Sequence, residues 1–374
     1  MTSRHGLETG RVRLAAVLCT AGVLTGCTQA PPAARAVRTP AAAVAPTPRS
    51  PTQARYVSVH GDDSGPGTKQ RPWRTLSQSL PKLFAGQVLY VHGGVYREVL
   101  TQLNLHDGRE NRPIAVTNVP GERAVLKGAV WLRRPDHWSI NGLNVTWDRG
   151  LKDPPRFMVK ITGGVGWQWD NSEIWGSRGS ANMFVAGFGK SEPSGWSLTG
   201  DCFHGLRSAT GGADRATNLA LGEMARPGRG SVTRNLIYNV EDQDNLTVGS
   251  ATAAPRNVDI RYNTIFGGRV AINLRGGAHN VRIARNVMGG TSSNVLVRFD
   301  LKHSPHTVVR QNYGVISPDG VAGARRMMQT DTEAAIGGRG NVVSDQEPAF
   351  PDPGSCSGFH TKVPTFAPYG RYAL

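Results

Sequence analysis

The sequence predicts an all-β chain wound into a solenoid, and three observations carry that reading. The pattern apolar-x-apolar-x-x-Asn-x-apolar recurs, with Asn235, Asn263, Asn286 and Asn312 at one position and Ser172 and Asp201 in the same register upstream. Ile174, Phe203, Ile237, Ile265 and Met288 follow two residues later, and the polar positions lie 29, 34, 28, 23 and 26 residues apart. Trp138, Trp167 and Trp196 keep a strict interval of 29. Between these marks lie short period-two runs such as Val270-Ala271-Ile272-Asn273-Leu274 and Val295-Leu296-Val297-Arg298-Phe299. Alternation of this kind marks half-buried strands. A repeat of 22 to 30 residues is too short for a propeller blade but fits a coil that buries its apolar side against the next. Asparagine suits the corner because it tolerates left-handed backbone and can pass amide hydrogen bonds between coils.

The elements follow in chain order. Arg4, Arg11 and Arg13 precede an apolar run, Leu14 to Gly26, too short to span a bilayer but right for the core of an export signal. It ends in Leu24-Thr25-Gly26-Cys27, which resembles the lipobox of bacterial lipoproteins. That resemblance implies cleavage before Cys27, acylation of its thiol, and a protein held on the outer side of the cell membrane by its lipid. Residues 28–55 hold six prolines, four arginines and no acid, a composition that cannot bury a core and forms a semi-extended tether. The expected organisation is a signal over 1–26, a tether over 27–55, and the solenoid over 56–374 with a tail from about 345.

The whole chain carries 43 Lys and Arg against 27 Asp and Glu. Part of that excess lies in the leader and tether, leaving +10 on residues 56–374, and export removes nucleic acid from the expected partners. An acidic polysaccharide or envelope glycan is the counter-charge that an exported basic surface would meet. A monomer is expected.

The entrance to the solenoid carries a definite likeness. Tyr56 to Thr68, then Arg71-Pro72-Trp73-Arg74-Thr75-Leu76, then Tyr90-Val91-His92-Gly93-Gly94-Val95-Tyr96-Arg97-Glu98 resemble the opening of right-handed parallel β-helix proteins of the pectate-lyase-like group. The tail, with Cys356-Ser357-Gly358-Phe359-His360 and Tyr369-Gly370-Arg371-Tyr372, is similar to the ends of exported actinobacterial β-helix proteins. The resemblance implies a right-handed parallel β-helix with a short N-terminal cap, since Pro81 interrupts the helix expected from Thr75 to Ala85. It also implies a polysaccharide partner and, in the group's enzymes, β-elimination. There a carboxylate-held Ca²⁺ neutralises a uronic acid and a Lys or Arg removes the proton.

The acidic segment Glu241-Asp242-Gln243-Asp244-Asn245 supplies Asp242 and Asp244 as candidate calcium ligands. Arg275 and Arg298, expected on outward positions of the next two strands near Asp300 and Lys302, are the candidate bases. The segment lacks the full acid and lysine pattern of calcium-dependent lyases, and solvated turn acids with a cross-coil ion pair account for it as well. Seven of the eight tryptophans lie between Trp131 and Trp196. Trp138, Trp167 and Trp196 sit at the apolar repeat position and read as core, whereas Trp131, Trp147 and Trp175 are candidate sugar-stacking residues. The histidines show no zinc-like spacing. Three functions stay open: a module binding acidic polysaccharide, a calcium-dependent lyase, and a non-catalytic structural surface protein.

Cys19 leaves with the signal and Cys27 takes lipid, so Cys202 and Cys356 remain as an even pair in an oxidising compartment. A disulfide pinning the tail to a middle coil is expected, with two free buried thiols as the alternative. Reduction should then raise the intact mass by two hydrogens, and an unchanged mass would exclude the bond.

Overall fold

A computed structural model describes residues 53–371 apart from 102, 208–215, 223, 225–227, 239–242, 250–254, 276–277, 294, 299–305, 317–325, 329–339, 347, 349, 351, 353–354 and 358–367. The chain forms a right-handed parallel β-helix. Among the described residues three sheets of ten, ten and eight strands run its length, and each complete coil contributes one strand to each. The first sheet begins with Gln53–Val57, Gln87–Val91 and Ile114–Asn118 and ends with Val308–Arg310. The second runs from Gly94–Tyr96 to Val342–Ser344, and the third from Val99–Leu100 to Val297–Arg298. Every strand pairing between named strands is parallel, which the order sheet one, sheet two, sheet three along the chain requires.

Register turns the sequence repeat into a core. In the first sheet Leu89, Val116, Ile140, Trp169, Leu198, Val232, Ile260, Ile283 and Val309 pair in succession and point inward. The second sheet stacks Leu126, Val145, Ile174, Phe203, Ile237, Ile265 and Met288 in the same way. Each side chain thus hides its apolar surface against the same position of the coils above and below, at roughly 25 cal/mol per Å². Trp138, Trp167 and Trp196 are core, as their spacing suggests, and Trp167 and Trp196 stack with ring centroids 5.4 Å apart. The stack ends at Gly230, where a Cβ would fall 2.1 Å from the Trp196 ring.

The corner between the first and second sheets is held by a ladder. The backbone N–H groups of Ser172, Asp201, Asn235, Asn263, Asn286 and Asn312 donate to the side-chain oxygens of Asp201, Asn235, Asn263, Asn286, Asn312 and Asn341, at 2.8–3.0 Å. From Asn235 onward each Nδ2 also donates to a backbone carbonyl one coil back, Leu198, Val232, Ile260, Ile283 and Val309 in turn. A second ladder, Asn182 to Asn218 to Asn245, lies at the start of the third sheet and was not read from the sequence.

The cap is short, as Pro81 implies. An α-helical turn, Leu76–Ser79, passes into a 3₁₀ turn, Leu80–Lys82, with Pro81 in its first turn. The Gly-x-Tyr-x-Glu motif has a structural reason: Glu98 accepts the N–H groups of Leu76 and Ser77 at 2.9 and 2.8 Å, a carboxylate on a helix N-terminus. The first strand starts at Gln53, three residues inside the expected tether. Its backbone pairs with Gln87–Val91, and Gln87 Nε2 donates to Gln53 Oε1 at 3.0 Å.

Asp201 is the irregular member of the ladder. It is fully buried, its Oδ2 has no hydrogen-bond partner among the described residues, and an ionised carboxylate cannot supply the Nδ2 donor of its asparagine neighbours. Burial pushes its carboxyl well above the usual range, and the nearby Asp170 adds to the rise, against the N–H of Ser172 and the charge of Arg371. A carboxyl raised in the folded state contributes stability below its unfolded value and loses it as pH rises through the folded one. Asp201→Asn should therefore stabilise the fold by about 1–3 kcal/mol at neutral pH, the usual cost of a buried unsatisfied polar group. Denaturant melts should show the gain shrinking toward acid pH.

Candidate functional site

The corner between the second and third sheets, on the N-terminal half of the coil stack, opens into a groove with a cavity volume of about 870 Å³. It is built from a register row. Lys127, Thr146 and Trp175 end successive strands of the second sheet, and His204 pairs with Trp175 on the next. Beyond this row the chain turns through Trp147-Asp148-Arg149, Gly176-Ser177-Arg178 and Gly205-Leu206-Arg207, and Arg149, Arg178 and Arg207 line the same groove. Gly176 and Gly205 have φ of +76° and +61°, a left-handed turn that L side chains rarely adopt. That turn repeats an aromatic-Gly-x-Arg unit 29 residues apart, Trp175 to Arg178 and then His204 to Arg207.

The chemistry of the groove is cationic and aromatic. Four basic side chains face one lining acid, Asp148, which is already paired with Arg97. The Gly150 N–H and Arg97 hold the Asp148 carboxyl below its usual range. Trp147 is 7% exposed, and its buried Nε1 has no acceptor among the described residues. Trp175 lies parallel to His204 at 6.1 Å, and Arg123 sits over the Trp175 ring at 5.8 Å.

Glu173 anchors this arrangement from below. His204 Nε2 donates to Glu173 Oε1 at 2.9 Å and Arg123 donates to Oε2. Burial raises the carboxyl, but the bonds from His204 and Arg123 outweigh it and leave Glu173 below the usual range. A depressed carboxyl stabilises the fold above its unfolded value, and that contribution disappears as pH falls through the folded one. Glu173→Gln should cost about 1 kcal/mol at neutral pH and almost nothing under acid conditions, measured as the difference between two denaturant melts.

The candidates read from the sequence separate into three places. Trp147 and Trp175 line the groove, but Trp147 is 7% exposed and packs in the hydrophobic core, so Trp175 is left as the stacking candidate there. Trp131 lies on the outer face of the third sheet, in strand Ala129–Arg133, with Arg133 over its ring at 3.8 Å and Lys160 at 4.4 Å. The described end of the acidic segment, Asp244 and Asn245, begins strand Asp244–Val248 farther along the same sheet. Asp242, Asp300 and Lys302 lie outside the described residues, as does Cys27. Asp244 is 1% exposed; its Oδ1 accepts from Arg269 at 2.5 Å and its Oδ2 from Asn273 at 2.6 Å. The described part of the segment therefore offers Ca²⁺ no carboxylate free of a cation. Arg298 is level with Asn273, so Arg275 stands two residues past it, beyond the end of strand Val270–Leu274 rather than on an outward strand position. Arg298 donates to Ser293 at 3.1 Å. The two arginines do not share a row, because the strand ends before Arg275.

Cys202 and Cys356 form a disulfide with Cα atoms 5.9 Å apart, so the tail is tied to a middle coil.

No family model matches the chain. A stretch of 73 residues is 37% identical to the uncharacterized protein YwoF of Bacillus subtilis (strain 168), covering 20% of this chain and 15% of that one. Among solved structures, a rhamnogalacturonan lyase superposes with a TM-score of 0.55 at 12% identity, over 86% of this chain and 100% of the other. XylC in complex with xylose superposes with a TM-score of 0.52 at 11% identity, over 74% of this chain and 70% of that one. At such identities the likeness is one of fold.

Proposed function

We propose that this protein is a lipid-anchored, extracytoplasmic β-helix that binds acidic polysaccharide in the groove between its second and third sheets. The observation that carries the reading is the groove's composition: Lys127, Arg149, Arg178 and Arg207 around Trp147 and Trp175, with its single lining acid neutralised by Arg97. Cations spaced along parallel coils match a polymer bearing a charge at regular intervals, and the Trp175 indole offers a face on which a sugar ring can stack. Polysaccharide chemistry also agrees with the lyase and the xylose-bound protein that share this fold. Binding is favoured over calcium-dependent elimination because Asp244 is committed to Arg269 and Asn273, and Arg275 and Arg298 lie in different rows.

Titration with polygalacturonate, alginate and glycosaminoglycans should show binding that weakens as salt rises, without the ultraviolet absorbance of an unsaturated product. Trp175→Ala should lower affinity about tenfold, or 1.4 kcal/mol. Retention of none of these polymers would leave the structural surface protein as the reading. Cys27→Ser should move the protein from the membrane fraction to the soluble one; continued membrane association would remove the lipid anchor.

A further inference from the structure

We propose that the C-terminal tail sets the length of acidic glycan that the groove accepts; the inference rests on the groove reading above. The row that opens into the groove does not stop at His204. It continues through Tyr238 and Phe266, which pair with each other on the next two coils. The rings form one run: Trp175 on His204 at 6.1 Å and 4°, then His204 on Tyr238 at 5.0 Å and 15°. This is one aromatic platform in two parts, and the second is closed at Tyr238.

The second part is covered by the protein itself. Tyr238 is 2% exposed and clusters with Phe266, Phe350 and Cys356. Phe350 meets Phe266 edge-on at 4.9 Å. The disulfide from Cys356 lands on Cys202, two residues before His204, and a ring nitrogen of His204 lies within 4.8 Å of both sulfurs. The tail therefore crosses the platform directly beyond His204, where a sugar chain lying along the row would continue. The open row from Lys127 to His204 spans three coil intervals, about 14 Å at the usual strand spacing, or about three sugar units. Tyr238 and Phe266 would add about two more.

The bond that holds the tail can be opened. Dithiothreitol transfers two electrons and two protons to the disulfide, giving two thiols and the cyclic oxidised reagent; Cys356→Ser removes the bond permanently.

The test measures the affinity of the full chain for oligogalacturonates from dimer to octamer, in the oxidised wild type and in Cys356→Ser. Affinity should stop rising near the trimer in the oxidised protein and go on rising to about the pentamer in the variant. Tyr238→Ala should leave trimer binding unchanged in the oxidised protein and abolish the gain when added to Cys356→Ser. A second arm needs no glycan: hydroxyl-radical footprinting should label Tyr238 in Cys356→Ser and not in the oxidised wild type, while Trp169 stays protected in both, which also reports an intact core. Tyr238 unlabelled in the variant overturns the proposal whatever the glycan data say. Labelling with an unmoved length profile overturns it too. Failure of both proteins to bind any oligomer overturns the groove reading, and the length limit with it, and is distinct from an unmoved profile.

Discussion

A chain that turns a tight corner once per coil must satisfy polar backbone groups that it has just buried. The amide ladder from Asp201 to Asn341 is the interaction that allows this. Each asparagine accepts an N–H from the preceding coil and, from Asn235 onward, returns a donor to a carbonyl one coil back. A buried amide with both ends used is inexpensive, whereas one unmatched end costs of the order of 1–3 kcal/mol. The ladder therefore fixes register as well as stability, since a one-residue slip would strand every amide at once. With register fixed, apolar columns meet inside and outward residues fall into rows, and the groove is one of those rows.

Cap and core obey the same logic with different chemistry. At the N-terminus Asp63 and Glu98 accept the free N–H groups around the short helix, so carboxylates do there what amides do at the corner. In the coils before Asn235 indoles fill the space, and Trp138, Trp167, Trp169 and Trp196 are among the most buried side chains. The wide, aromatic half of the stack is also the half that carries the groove.

The fold was legible because its determinants repeat. Four asparagines and three tryptophans at coil spacing define corner and core, and Pro81 marks the broken cap. The second ladder escaped notice because it spans only three coils, with members 36 and 27 residues apart where loop length varies. Trp175 is legible as an exception to the core register, whereas Trp147, read the same way, packs in the core. Their cationic companions were not legible, because Arg149, Arg178 and Arg207 lie in corner turns, where period-two reasoning does not apply. The aromatic-Gly-x-Arg unit at Trp175 and His204 was the available signal, and its meaning depends on knowing that both glycines turn left-handed. Arg275 was misplaced for a related reason: alternation does not say where a strand stops, and Val270–Leu274 stops one residue too soon for it.

The end of the indole stack has a consequence for how such a chain can change in length. Coils joined by asparagine rungs present nearly interchangeable faces, so one could be duplicated or lost among them with the same bonds re-forming at the new joint. The seam at Trp196 and Gly230 is the exception, since any residue with a Cβ at 230 would meet the indole. A coil gained or lost at that seam must again set a glycine against Trp196, a demand that the asparagine-joined coils do not make.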